Sequence, residues 1–379
     1  MANKRALVVS DSPIARDPRV IRQIQWLVSA GYEVDSLGRG VQPAELNGTH
    51  FDIPRRSSLT RILAYLFLPN RLKYRVLMGS TIPQEIARGA RRGRYDVIAM
   101  NEIELLPWLI RYRSELVTET GHVHLDLHEY APSQRTGLLY RLVFKRWREY
   151  LISFIGDAAF DTRSVVAEGI ADLYRDLFAM TRPTVIRNCP PFHQLPVRPT
   201  GDRIRLVHHG VASMSRGLDT VIEAMGLVDD RFTLDLMLVG ASRNVDVLKQ
   251  LAAPLGEKVV FRDPVDVRLI PETINAYDAE VIFFPPVTEN LRFVLPNKFF
   301  EAVQARLAVV AGDSIEMTRI MANYHNGVIA QGWTARDLAE AIASLTVESV
   351  NAMKAGSDRA AHELSSEREQ RIFLELVTS

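Results

Sequence analysis

Short apolar segments that end in polar residues recur along the chain, and segments with helical spacing separate them. The first apolar segment is Ala6–Ser10, and Pro18–Ala30 follows it with apolar residues three or four positions apart. Asp17 stands just before that stretch, and an aspartate before a proline is typical of the start of a helix. A second strand-like segment, Tyr32–Leu37, comes next. This strand–helix–strand order predicts a parallel βαβ unit and therefore an α/β fold with doubly wound parallel sheets.

The alternation continues, stops at a proline-rich stretch and then starts again. We predict further strands in the first half at Asp96–Met100, Val123–Leu127, Ala158–Phe160 and Thr184–Ile186, and in the second half at Arg205–His209, Leu234–Val239, Val259–Phe261, Val281–Phe284 and Ala308–Val310. The stretch between Cys189 and Asp202 is typical of a linker. The chain has 379 residues, which at roughly 150 residues per domain agrees with two domains. We expect Rossmann-like domains at 1–187 and 188–358 that face a ligand cleft.

The cysteine content and the apolar segments narrow the cellular setting. The only cysteine is Cys189, which excludes an intramolecular disulfide and a cysteine-rich metal site and indicates a reducing compartment. No stretch approaches the roughly 20 apolar residues that a membrane-spanning helix needs. The apolar run near the start, Ala6–Val9, is shorter than that of a secretory signal. We therefore expect a cytoplasmic protein.

Positive charge is concentrated in two segments of the first half. Residues 55–94 contain ten lysines and arginines but a single acid, Glu85, and residues 135–148 form a second basic cluster. Aromatic and aliphatic residues are interleaved with the charges in both segments. This pattern favours docking on an anionic membrane surface, and the alternative is two core helices with solvated basic faces. No nucleic-acid-binding motif accompanies the charge, so we expect no nucleic-acid partner.

Several common catalytic motifs are absent from the sequence. It has no Gly-x-Gly-x-x-Gly, no Gly-x-x-x-x-Gly-Lys-Ser/Thr and no Gly-x-Ser-x-Gly. These absences disfavour a nicotinamide dehydrogenase, a P-loop NTPase and an α/β-hydrolase.

The most informative motif is Pro296-Asn-Lys-Phe-Phe-Glu-Ala302, which follows a predicted strand and opens a predicted helix. The free backbone N–H groups of such a helix form an anion site, and Lys298 adds a positive charge in the first turn. Glu301 lies on the same helix face and can accept hydrogen bonds from a ribose diol. Taken alone, the pair also fits an ordinary surface Lys–Glu pair.

A second strand-to-helix loop strengthens the first interpretation. The segment Gly210-Val-Ala-Ser-Met-Ser-Arg-Gly217 has glycines at both ends, and Arg216 stands at the start of the next helix. A guanidinium there can bind phosphate oxygens beside backbone amides. Two such loops in one domain favour a nucleotide diphosphate as the ligand.

These motifs, in this order and spacing, resemble those of retaining glycosyltransferases of family 4, which have the GT-B fold. The resemblance runs nearly from end to end and is carried by Asp17-Pro-Arg-Val-Ile-Arg-Gln23, Gly31-Tyr-Glu-Val34, Leu127-His-Glu129, Val185-Ile-Arg-Asn188, Arg216-Gly-Leu218, Leu238-Val-Gly240, Pro296-Asn-Lys-Phe-Phe-Glu301 and Ala308-Val-Val310.

The resemblance implies a role for each matching position. The second domain holds a nucleotide-diphosphate sugar, with a UDP-sugar as the default, and the first domain holds a saccharide or lipid-linked acceptor. The last helix, predicted over 359–379, packs back on the first domain. No metal or other cofactor is implied. The implied site residues are His128 beside the transferred sugar; Gly210, Arg216 and Lys298 at the diphosphate; Glu301 at the ribose; Asn290, Leu295 and Asn297 in the sugar loop; and Arg16, Arg19 and Glu129 on the acceptor side.

Two positions depart from the family pattern, and two other functions stay open. Phe293 stands eight positions before Glu301, where many members have a second glutamate, so we expect backbone amides of the 290–295 loop to recognise the sugar. Val211 replaces an arginine that often follows the loop glycine.

The alternatives to a glycosyltransferase are a sugar-nucleotide epimerase of the same fold and a non-catalytic nucleotide-sugar-binding protein. The alternating residues from His122 to His128 resemble a metal cluster, but strands in such sheets are more often packed.

Overall fold

The computed structural model describes residues 4–53, 63–65, 67–79, 94–133, 144–213 and 216–378. The chain forms two compact units. One consists of Met1–Arg187 together with Gln370–Ser379, and the other consists of Asn188–Glu369.

The first unit contains a parallel sheet with the strand order β3-β2-β1-β4-β5-β6-β7. Its strands are β1 (Arg5–Pro13), β2 (Glu33–Arg39), β3 (His50–Asp52), β4 (Tyr95–Asn101), β5 (Val117–Leu127), β6 (Thr162–Val165) and β7 (Thr184–Val185). Its described helices are α1 (Pro18–Ser29), α2 (Asn70–Tyr74), α3 (Leu106–Leu116), α4 (Lys145–Ile152) and α5 (Glu168–Phe178).

The second unit contains a parallel sheet with the order β10-β9-β8-β11-β12-β13. The strands are β8 (Ile204–Val211), β9 (Phe232–Val239), β10 (Val259–Arg262), β11 (Ala279–Ile282), β12 (Ala308–Gly312) and β13 (Gly327–Ala330). The helices are α6 (Leu218–Met225), α7 (Ser242–Ala252), α8 (Ile270–Ile274), α9 (Glu289–Arg292), α10 (Asn297–Gln304), α11 (Ile315–Tyr324), α12 (Ala335–Ala343) and α13 (Val347–Ala360), and α14 (Ser366–Thr378) runs from this unit into the first.

Both sheets are the doubly wound parallel sheets that the apolar segments predict. Residues Ala6–Val9 of β1 and Ala308–Ala311 of β12 are fully buried, as expected for strands covered by helices on both faces. In each sheet the strand order reverses once, between β1 and β4 and between β8 and β11. Ligands of such folds bind beyond the carboxyl ends of the strands at this reversal.

The start of α1 confirms the predicted helix cap. The Asp17 side chain accepts hydrogen bonds from the backbone N–H groups of Arg19 at 3.2 Å and Val20 at 3.3 Å. The strand predicted at Ala158–Phe160 is wrong, because the strand lies four residues later at Thr162–Val165. Asp157 accepts backbone hydrogen bonds from both Ala159 and Phe160, which folds that segment into a turn.

The single helix predicted over 359–379 is also wrong, because the structure has two helices separated by a turn. The buried side-chain amide of Gln304 donates hydrogen bonds to the carbonyls of Ala361 at 2.7 Å and Leu364 at 3.0 Å. Those carbonyls are thereby satisfied without a continuing helix. From Gln370 onward α14 belongs to the first unit, where Phe373 packs on Trp26 of α1 with ring centroids 5.4 Å apart.

Most of the two basic segments lies outside the described residues, namely 54–62, 66, 80–93 and 134–143. The described parts pack against each other, with the Tyr65 ring centroid 4.8 Å from that of Phe144 and the Asn70 side chain donating to the Arg146 carbonyl. Within the described ranges, no helix combines the length and the apolar character required to cross a bilayer.

Candidate functional site

The carboxyl ends of β8 and β11 lie side by side because these strands pair directly, Leu206 with Ala279 and Val207 with Glu280. The loop after β8 leads to α6, and the loop after β11 leads through α9 to α10. The strand reversal therefore brings the Gly210 loop and the Lys298 helix to one edge of one sheet, as their positions in the sequence predict.

Lys298 is buried at the start of α10 and points back toward the end of β8. Its ammonium lies 2.8 Å from His208 Nε2 and donates to the carbonyl of His209 at 2.6 Å. Burial, reinforced by the charge of Arg216, lowers the pKa of Lys298 to about 8. Burial and, to a smaller extent, the charge of Lys298 hold the pKa of His208 well below its usual value, so the His208 ring is neutral. The ammonium is thus fixed in place while its charge is only partly compensated.

Glu301 lies one turn further along α10 and contacts the second histidine of β8. Its Oε2 is 2.7 Å from His209 Nε2, and His209 Nδ1 is 3.2 Å from Oε2 of Glu280. Burial alone would lower the pKa of His209, but the two carboxylates raise it to about 9. A protonated His209 therefore bridges two buried carboxylates.

Arg216 and Lys298 share one aromatic ring. The guanidinium carbon of Arg216 lies 5.6 Å from the centroid of Phe284, and the ammonium of Lys298 lies 5.2 Å from it. Gly210 has a φ of +119°, and a Cβ on it would sit 3.4 Å from Lys298 Nζ. Gly217 also has a positive φ, and a Cβ there would lie 2.8 Å from the Phe283 carbonyl. Glycine at position 210 therefore leaves space beside the Lys298 ammonium that a side chain would occupy.

The loop predicted to bind the donor sugar contains a short helix, α9. Thr288 caps it, and the backbone N–H groups of Leu291, Arg292, Phe293 and Val294 all donate within the turn. The expectation that backbone amides throughout 290–295 are free for a sugar is therefore wrong for these four. Asn290 and Leu295 are half-buried, and the exposed Asn297 accepts a hydrogen bond from the Asn188 side chain at 2.5 Å. A role for these three in sugar binding stays a prediction.

In the first unit, the carboxyl ends of β4, β5 and β6 carry a buried polar network centred on Asp126. Its carboxylate accepts two hydrogen bonds of 2.6 Å from Arg19, one of 2.6 Å from Gln23 and one of 2.6 Å from Ser164. Burial would raise the pKa of Asp126, but Arg19 and then His128 hold it well below its usual value. The expected acceptor contact of Arg19 is wrong, because Arg19 is only 5% exposed and its guanidinium binds Asp126.

His128 stands directly after β5 at the edge of this network. Its Nε2 lies 2.9 Å from Asn101 Oδ1 and its Nδ1 lies 3.5 Å from Oε1 of Glu102. Burial would lower the pKa of His128, but Asp126 and Glu102 raise it. Glu102 has a φ of +62°, and burial raises its pKa to about 7. A non-glycine residue in this conformation is strained, which is common at functional sites.

The other residues predicted for the first unit have different surroundings. Arg16 and Glu129 are exposed, so contact with an acceptor stays a prediction for both. Across the described part of the chain, no three histidine, cysteine, aspartate or glutamate side chains are grouped as metal ligands. His124, which the alternation placed in a possible metal cluster, instead contacts the hydroxyls of Thr162 at 2.9 Å and Ser164 at 2.8 Å.

Four side chains of the second-unit site were not singled out as functional from the sequence. Phe284 was read only as the end of a strand. The rings of His208 and His209 each contact a side chain of the helix motif, Lys298 and Glu301 respectively. Glu280 is fully buried, and an acid inside the apolar run Ala279-Glu-Val-Ile-Phe-Phe284 was the signal that could have marked it.

Comparison with known proteins finds one similar family and several structures with a similar fold. Residues 203–347 match the family model Glycosyl transferases group 1, whereas no curated protein matches the chain. Among solved structures, a sucrose-phosphate synthase from Thermosynechococcus elongatus superposes with a TM-score of 0.69 at 15% identity, covering 99% of both chains. An α,α-trehalose-phosphate synthase (UDP-forming) from Burkholderia vietnamiensis gives 0.69 at 12% identity over 99% of this chain and 100% of that one.

A third solved structure is WaaG, described as a glycosyltransferase involved in lipopolysaccharide biosynthesis. It superposes with a TM-score of 0.65 at 13% identity, over 99% of this chain and all of that chain. At these identities the structures establish the fold, which is the two-domain GT-B fold. The family model matches residues 203–347, less than half of the chain, and shows that this part of the second unit is similar to Glycosyl transferases group 1.

Proposed function

We propose that the chain transfers a sugar from a nucleotide-diphosphate sugar to an acceptor hydroxyl, with retention and without a metal ion. The observation that carries this proposal is the cluster at the ends of β8 and β11. There Lys298 and Arg216 share the Phe284 ring beside Gly210, and Glu301 follows one helical turn later. Two cations beside a carboxylate match the diphosphate and ribose of a sugar nucleotide.

The electrostatics suit a leaving diphosphate. Negative charge develops on the diphosphate as its bond to the sugar breaks, and fixed positive charges stabilise that charge without reorganisation. Lys298 is already desolvated in the free protein, so little solvation is lost when a phosphate arrives. The N-termini of α6 and α10 add their positive dipole ends. UDP is the default nucleotide, and the UDP-forming trehalose-phosphate synthase among the structural relatives supports that choice.

The reaction itself exchanges one carbon–oxygen bond for another and transfers one proton. The acceptor oxygen attacks the anomeric carbon on the face of the leaving group, and the bond from that carbon to the diphosphate breaks. A phosphate oxygen takes the proton of the acceptor hydroxyl. His128, held by Asn101 and Glu102, positions the sugar and the acceptor side of the reaction.

For the acceptor we propose a saccharide at a membrane, such as a lipid-linked glycan of cell-envelope polysaccharide or glycolipid synthesis. The support is the charge pattern of residues 55–94 and 135–148, together with the likeness to WaaG. Binding to anionic vesicles, compared with binding by a chain in which Arg88, Arg91 and Arg92 are changed to glutamine, tests this part. Equal binding by the two chains would contradict it.

The donor site can be tested without knowing the acceptor. Calorimetry with UDP-, GDP- and dTDP-sugars should reveal one that binds, and NMR of the incubated donor should show slow hydrolysis to free sugar. We expect Lys298→Met to weaken binding of that donor at least tenfold, because a charge-assisted contact contributes about 1.5 to 3 kcal/mol. The matched control is Lys145→Met, which removes an exposed lysine of the first unit that pairs with Glu149.

The possible outcomes separate the competing functions. Hydrolysis or transfer supports the proposal. Conversion of the donor to its epimer would replace it with the epimerase alternative. Binding of no nucleotide sugar, or equal losses for the Lys298 and Lys145 variants, would contradict it.

A further inference from the structure

A buried line of three charged side chains runs beneath the proposed ribose site. Glu280 on β11, His209 on β8 and Glu301 on α10 are 0%, 5% and 7% exposed. His209 Nε2 is 2.7 Å from Glu301 and its Nδ1 is 3.2 Å from Glu280. Neither His209 nor Glu280 takes part in the sugar transfer described above.

Glu280 is costly to bury, and the structure uses it to fix the histidine. Its two oxygens face His209 from two directions, with Oε1 3.4 Å from the backbone N–H and Oε2 3.2 Å from the ring. An unpaired carboxylate in this position would be strongly destabilising. The contacts leave His209 a single ring orientation, in which both N–H groups point at carboxylates.

Glu301 is constrained in turn by His209. One of its oxygens, Oε2, accepts a hydrogen bond from the His209 ring, while Oε1 has no hydrogen-bond partner among the described residues. A carboxylate that binds two ribose hydroxyls must not rotate away from them. The contact with the protonated His209 ring holds the Glu301 carboxylate in place.

We propose that His209, oriented by Glu280, is a positioning residue that holds the Glu301 carboxylate aimed at the ribose diol of the donor nucleotide. This rests on the proposed function, since it deepens the description of the same site. The adjacent His208 serves the other half of the ligand, because its ring contacts Lys298 at the diphosphate end. The two histidines of β8 thus divide between ribose and diphosphate.

The test compares a nucleotide with its analogue that lacks both ribose hydroxyls. The wild-type chain is first titrated calorimetrically with UDP, GDP and ADP, and the tightest of these is then compared with its 2′,3′-dideoxy form. In His209→Gln we expect about tenfold weaker binding of the ribonucleotide, because an aligned charged contact is lost. We expect the affinity for the dideoxy form to change less than about twofold. In the matched variant His208→Gln, both ligands should weaken by the same factor.

A second variant guards against misfolding. His209→Gln leaves the buried Glu280 without its cation, so the double variant His209→Gln/Glu280→Gln is made as well. The double variant should show the same selective loss of ribonucleotide affinity and should keep a native near-UV circular dichroism spectrum. Equal weakening of both ligands in the folded double variant would overturn the positioning role. Failure of UDP, GDP and ADP all to bind the wild-type chain would instead overturn the proposed function and the inference with it.

Discussion

The protonation of His209 gives a prediction that needs no substrate. Burial opposes a charged ring, yet Glu280 and Glu301 together raise the pKa of His209 from the usual 6.5 to about 9. A change of this size corresponds to about 3 kcal/mol in favour of the protonated ring. Because the pKa is raised in the folded state, this stabilisation is fully present below pH 6.5 and is lost as the pH rises through about 9.

The assay is NMR titration of the histidine rings. The chain has nine histidines, so the His209 signal can be assigned by its absence in His209→Gln. We expect it to titrate well above neutral pH in the wild-type chain and at a lower pH in Glu301→Gln, where one carboxylate charge is gone. Besides Glu301, the charged or titratable groups near this ring are Glu280 and, at a greater distance, His208 and Lys298. A wild-type His209 that titrates at or below 6.5, or one that Glu301→Gln leaves unchanged, would refute the ion-pair geometry.

Three further predictions concern other parts of the site. Gly210→Ala should lower the free energy of unfolding by about 1 to 3 kcal/mol, because φ is +119° at this position. It should also weaken nucleotide binding, because the added methyl group lies beside Lys298. Thermal unfolding checks the first effect and calorimetry checks the second. Arg19→Met should destabilise the chain by about 3 to 5 kcal/mol, because the buried Asp126 carboxylate loses its bidentate cationic partner. Adding Asp126→Asn should restore much of the loss in thermal unfolding. His128→Asn should abolish sugar transfer but change donor affinity less than about threefold, as kinetics and calorimetry will show.

The sequence predicted the sheets well because their signals are local. Apolar runs such as Ala6–Val9 can be recognised in the sequence wherever strands are covered by helices on both faces. The positions of the two loops proposed to bind the diphosphate were equally predictable, since Gly210, Arg216 and the Lys298–Glu301 spacing depend on backbone geometry at strand-to-helix turns. The structure brings these residues to one sheet edge.

The failures of prediction arose where a distant residue decides the local structure. The break before α14 depends on Gln304, about 60 positions earlier, whose amide satisfies two carbonyls. The use of Arg19 depends on Asp126, 107 positions away. Likewise, the roles of His208 and His209 follow from α10, which sequence periodicity does not place beside β8.

The most direct test of the account is a crystal structure of the chain with the nucleoside diphosphate that it binds most tightly. We expect the diphosphate oxygens within about 3 Å of Lys298 Nζ and the Arg216 guanidinium, and the ribose hydroxyls at the same distance from the Glu301 carboxylate. A nucleotide bound elsewhere, with Lys298 still bonded only to His208 and the His209 carbonyl, would contradict it.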